Sequence, residues 1–392
     1  MKYFIKKIYL ILFFITALLY NTESFSKNVK FKYSQGDISN YFSGIVSVNQ
    51  NYTTTGFKYL NKVRFLKNSH YNFNVQFIRT LILLEKFEKA FAFSKNIWKE
   101  DELFFEADLL LGLDYFIKEN YLKAEKHFER LNSISQSNLF FKDFLGNILI
   151  SWVKASENNI NDSFEFLDKI PDHYDSLKQI QNAFLHCHFD TSKTEVAFEK
   201  LIDNPKTRFS RYNFFLANYF ISKNQNIAGK ILISKSRDAY NSNLLIKQAE
   251  NFILNGKNNN ITNFFDCKNP SDVIAEIFYV IANLYSTQED YQLSNFYLKI
   301  SLFLNNKFTP NKTLLAENFY NQKKYELSKR IYNLLESIGP VYGWYGVINR
   351  AIILSETESK EQAALSLEKE FNLLSNPNFE HYYELANFYK DN

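Results

Sequence analysis

One local cluster in the sequence has side chains able to do chemistry: His186-Cys187-His188. Imidazole and thiolate bind metals or carry redox chemistry. Neighbouring residues on a helix point about 100° apart, so three in a row do not converge on one ion. The cluster therefore reads as one helix with Cys187 packed inside and both His toward a groove or the surface. The other His (His70, His127, His173, His381) are scattered. A second stretch, "GPVYGWYG" from Gly339 to Gly346, gathers Gly and aromatics that would suit a ligand platform. It reads better as a turn entering a helix, with Trp344 packing at the start. The chain has no Gly-rich phosphate loop, no G-x-S-x-G and no H-E-x-x-H. These patterns indicate no enzyme, no cofactor and no metal site.

The elements that carry these residues read as helices. Only 10 Gly and 6 Pro occur in 392 residues, too few for a fold built on frequent tight turns. Phe, Tyr and Ile are abundant and favour strands. Even so, "AEKHFERLNSI" (124–134) and "SKRIYNLLESI" (328–338) space their apolar residues three and four apart, the helical period. At 46% hydrophobic and 22% charged residues, the chain has the composition of an ordered protein.

A repeat organises these helices. In "LLLGLDYFIKENYLKAEKHFERL", Gly112 and Tyr115 are followed by Tyr121, Ala124 and Phe128. This resembles a tetratricopeptide repeat, with L-G-x2-Y in its first helix and A-x3-F in its second. Gly112 costs helix propensity but permits close approach of the paired helices. The small residue of the second helix recurs at Thr55, Ala90, Ala124, Ser163, Ala197 and Gly229, at intervals of 35, 34, 39, 34 and 32. It continues at Ser294, Ser328 and Ala363. Asn263 takes the place in a degenerate unit around 244–273. Aromatics precede several slots by three (Tyr52, Phe87, Tyr121, Tyr291, Tyr325), and small residues precede them by twelve (Ser43, Gly112, Ser151, Ala217, Ala282, Ala316, Ala351). All the prolines, Pro340 among them, are expected between units, where a helix interior is not broken.

The resemblance implies an all-α, right-handed α-solenoid of about ten helix–turn–helix units over 35–392, the last incomplete. Sel1-like repeats and the superhelical domain of lytic transglycosylases are the competing likenesses. "HYYELANFYKDN" at the end of the sequence reads as a first helix, either a cap or the start of a longer array. Because a repeat touches only its neighbours, Cys187 and Cys267 are expected buried and unbonded. The family's concave groove would be lined by Arg79, Phe116, Trp152, His186, Phe189, Asn218, Asn283, Glu317 and Tyr320. That mixture suits an extended peptide or glycan chain and does not match the carboxylate clamp of chaperone-binding relatives.

Residues 1–26 carry a basic start (Lys2, Lys6, Lys7), an apolar run from Ile8 to Leu19 and small residues at Ser24 and Ser26. This is the pattern of an export signal, with an uncleaved anchor as the alternative. Its removal takes the net charge from +4 to +2. No nucleic-acid footprint remains. The expected function is a non-catalytic protein–protein scaffold of the periplasm or cell envelope. A glycan- or peptidoglycan-handling subunit is the alternative.

Overall fold

The structure, a computed structural model, describes residues 33–134, 143–203, 211–239 and 243–391. The leader and Pro205 lie outside the described residues. Among those described there are 21 α-helices and no strand. The helices follow one another in ten pairs. The first five pairs are α1 (Gln35–Asn49) with α2 (Thr53–Lys62), α3 (Tyr71–Leu83) with α4 (Phe87–Ile97), α5 (Phe105–Ile117) with α6 (Tyr121–Ser133), α7 (Leu145–Ser156) with α8 (Ile160–Asp168), and α9 (Asp175–His188) with α10 (Thr194–Ile202). The next five are α11 (Tyr212–Ser222) with α12 (Asn226–Ala239), α13 (Leu244–Leu254) with α14 (Asn258–Thr262), α15 (Pro270–Thr287) with α16 (Tyr291–Leu304), α17 (Pro310–Asn321) with α18 (Tyr325–Leu335), and α19 (Pro340–Thr357) with α20 (Lys360–Asn372). A further helix, α21 (Phe379–Asp391), follows alone. Pro270, Pro310 and Pro340 each open a first helix, where the missing N–H costs nothing.

Each pair is set by one contact and one turn. The contact is the small slot, four residues into the second helix. Ala90, Ala124, Ser163, Ser294, Ser328 and Ala363 are all buried there, and Ala197 is partly so. The residue twelve earlier lies opposite. Ser163 O accepts from the Ser151 hydroxyl at 2.8 Å, and Ala316 O accepts from the Ser328 hydroxyl at 2.8 Å. A Cβ on Gly229 would stand 3.2 Å from Ala217 O. Gly112 instead gives its space to the Phe128 ring, which would be 2.3 Å from an added Cβ.

The turn is a Schellman closure of the first helix. Asn51, Glu85, Glu119, Asn158, Asn224, Glu289 and Lys323 have positive φ, each five residues before its slot. The following N–H reaches back into the helix, as Lys86 N to Leu81 O (2.9 Å) and Asn120 N to Tyr115 O (2.8 Å). Side-chain caps then start second helices: Asn159 accepts from Asp162 N and Asp290 from Leu293 N.

Two slots differ from the sequence expectation. In the first unit Thr55 is exposed, and Gly56 lies against Gly44 and Val48. The sequence register there is out by one because Thr, Thr, Thr and Gly are all small. In the degenerate unit the slot is Ile261, fully buried, and not Asn263. Gly256 makes the turn at φ +68°, and α14 stops after five residues.

That short helix has a consequence two units away. After α14 the side chains of Phe264, Phe265 and Cys267 turn into the interior, where Phe265 packs on Phe184 and Phe215. Asn218 donates to Ile261 O and Phe265 O at 3.0 and 2.9 Å, and Asn305 donates to Phe264 O. Cys267 thereby reaches Cys187 and bonds to it, with Cα atoms 5.9 Å apart. The expectation of two unbonded cysteines fails because it let each unit touch only its neighbours, and the stretch after the short α14 reaches α9 two units back. His188, beside the bond, sets its ring nitrogens on Cys267 O and Ala155 O. His186 pairs with the Thr191 hydroxyl.

The solenoid also curls until distant units meet. Gln292 donates to Val48 O at 3.0 Å, Phe87 stacks on Phe303 at 4.0 Å, and Lys299 pairs with Glu85 at 2.5 Å. These contacts set α16 against the α1–α4 end of the chain. Farther on, Gln248 of α13 accepts from Val341 N of α19 at 3.1 Å. One apolar core therefore runs from Val48 to Leu315.

Candidate functional site

Closure leaves a cleft along the seam between the early units and α16–α18. It has two lobes of about 710 and 720 Å³, and Lys299 and Ile331 line both. The upper lobe lies between the α2 start (Tyr52–Thr55), the α3 end (Leu83, Leu84) and the α18 start. The lower lobe lies between the turn into α4 (Glu85–Lys89), α16 and α17. Leu302, Leu315, Ile331 and Leu334 give the lower lobe an aliphatic wall, with Phe87 and Phe303 beside it. Leu334 is 60% exposed and Tyr52 57% exposed, a large apolar surface to leave in water.

The cleft is cationic. Lys86, Lys89, Lys299, Lys312, Lys323, Lys324 and Arg330 line it, against Glu85, Glu88 and Glu326. Glu85 is taken by Lys299 and Glu326 by Lys329. Lys324 lies over the Tyr52 ring at 4.1 Å and Lys86 over Phe57 at 5.8 Å. Lys89, Lys312, Lys323 and Arg330 make no salt bridge among the described residues. Lys312 is half-buried, and burial lowers the pKa of its ammonium below the ordinary lysine value. The Tyr325 hydroxyl on the cleft wall is fixed by Glu356 at 2.6 Å. The Tyr320 hydroxyl also donates to Glu356, and burial first, then that carboxylate, pushes the phenol up to about 12.

The residues expected to line a concave groove do not come together in an open surface. Phe116, Trp152 and Asn218 are buried. Trp152 donates to Gln181 at 2.7 Å inside the core. Arg79 pairs with the buried Glu106 at 2.6 Å and lies over Phe296. Glu317 accepts from the Tyr345 hydroxyl at 2.6 Å, and burial raises its carboxyl above the usual range. His186, Phe189 and Tyr320 are half-buried, and Asn283 is exposed. The chain itself covers Phe116, Trp152 and Asn218. Trp344 packs at the start of α19 and donates to Glu384 of α21 at 2.5 Å. Sequence reading missed the cleft because its walls come from helices more than 200 residues apart, as in the Glu85–Lys299 pair with its separation of 214. The one local trace is the Lys323-Lys324 pair.

The stacked helical hairpins, their small slots and their Schellman turns make this an α-solenoid of tetratricopeptide-like units. No family model and no curated protein matches the chain. Among solved structures it is similar to the APC/C hetero-tetramer Cut9–Hcn1, at 12% identity over 90% of each chain with a TM-score of 0.27. It is also similar to Naa15/Naa10 bound to HypK-THB, at 13% identity over 91% of this chain with a TM-score of 0.21. It spans 61% of that second chain's length. The fold assignment stands on the chain's own helix pairs.

Proposed function

We propose that this chain is an exported, non-catalytic protein-binding scaffold, and that a partner docks in the seam cleft. The carrying observation is the cleft itself. It combines concavity, exposed apolar side chains and cations that make no salt bridge among the described residues. Export is supported by the basic and apolar start of the sequence. It is supported independently by the Cys187–Cys267 bond, since disulfides persist in oxidising compartments. Among the described residues no helix is long and apolar enough to cross a membrane. The glycan-handling alternative draws on the aromatic groove residues, of which Phe116 and Trp152 are buried and Phe189 and Tyr320 half-buried, so it has less support than the cleft.

Site-specific photo-crosslinking in cells tests the reading. A crosslinker at Leu334 should capture a discrete polypeptide, whereas one at Val196, 64% exposed on α10, should not. Equal capture from both sites, or none from Leu334, would remove the cleft as the docking site.

A further inference from the structure

We infer that the occupant of the cleft is an acidic, extended polypeptide segment with an aliphatic anchor side chain. This deepens the docking reading above and rests on it. Charge carries the first half of the argument. Lys89, Lys312, Lys323 and Arg330 face the two lobes with no salt bridge among the described residues. Lys323 and Arg330 are exposed, whereas Lys312 is half-buried and has lost part of its hydration. An ammonium in that position is best satisfied by an anion brought from outside. The excess is local, because the whole chain carries only +4. Electrostatic steering toward an acidic partner follows.

The walls carry the second half. Leu302, Leu315, Ile331 and Leu334 are branched aliphatics, and they surround the space beside Lys312. The two rings in that lobe, Phe87 and Phe303, stack on each other, whereas a sugar or a base needs a free ring face. A Leu, Ile or Val side chain fits such a wall and would bury Leu334 as it entered. Lys299 and Ile331 line both lobes, so the two lie side by side along the seam, with the anchor placed in the lower one and carboxylates toward the cations of either.

The test uses the full, oxidised chain and a short fluorescent peptide of Asp, Glu and Ser with one central Leu. Anisotropy should show saturable binding that weakens with added salt. The same peptide with Asn and Gln for Asp and Glu should bind about tenfold more weakly or worse. Replacing the central Leu by Ser should also weaken it. Lys312→Glu and, separately, the exposed pair Lys323→Glu with Arg330→Glu should each reduce binding, while Lys200→Glu on α10 should not. The surface pair keeps the test valid if Lys312→Glu does not fold. Equal binding of the amide peptide, no binding of the acidic one, or preferential binding of polygalacturonate overturns the inference. Crosslinking from Leu334 would then still support docking at the cleft. Loss of that crosslink, by contrast, removes the docking reading itself.

Discussion

Glu276 is the residue most exposed to a single change. Its side chain is fully buried, and its carboxylate accepts from Arg211 and, at 2.6 Å, from the Tyr212 hydroxyl. Burial raises its pKa, and the Arg211 charge opposes that rise. A carboxyl whose pKa is raised on folding favours the fold when protonated, and that stability is lost as pH rises through the folded value. Arg211→Leu removes the opposing charge and raises the carboxyl further. The expected loss at neutral pH is about 3–5 kcal/mol, the cost of leaving a buried charge unpaired. The loss should shrink in mild acid, where Glu276 takes up a proton. Urea melts of both chains at the two pH values check this, and a pH-independent loss would count against the assignment.

At the scale of elements, the truncated α14 and the Cys187–Cys267 bond act together. A full second helix would keep 263–269 outside, whereas a five-residue helix lets that segment enter and bond to α9. The bond closes a loop with a sequence separation of 80. Cross-linking a loop of that length restricts the unfolded chain by about 4 kcal/mol. Changing both cysteines to Ala should lower the unfolding free energy by that order, with helical circular dichroism retained at low denaturant. The effect should be absent when both chains are compared under reducing conditions. A double variant as stable as the oxidised parent would show that Phe265 and Asn218 hold the segment unaided.

On the scale of the whole molecule, closure distinguishes this solenoid from an open one. Stability in an open array is a sum of units and nearest-neighbour interfaces. Here Phe87–Phe303 and Glu85–Lys299 add contacts across the seam. The ring pair contributes about 0.5–1.5 kcal/mol beyond its buried area and the half-exposed ion pair about 0–1 kcal/mol. Replacing Phe303 and Lys299 together by Ala should open the seam while leaving the hairpins intact. Small-angle scattering should show a larger radius of gyration with unchanged helicity. An unchanged scattering curve would mean that other contacts set the curl.

The hairpins were legible in the sequence because each is a local object. A slot such as Ala124 meets its first helix within a few dozen residues, and period alone finds it. Even the misplaced slots, Thr55 for Gly56 and Asn263 for Ile261, lay within two residues of the true ones. Trp152 and Phe116 were placed on a groove because a first-helix face is open in a single unit, and nothing local says that a later segment will cover it. The disulfide, the burial of Phe116 and Trp152 and the seam cleft were decided by tertiary structure alone. Each joins residues two or more units apart, and their meeting depends on small rotations between units summed along the superhelix. No short window of sequence encodes that sum.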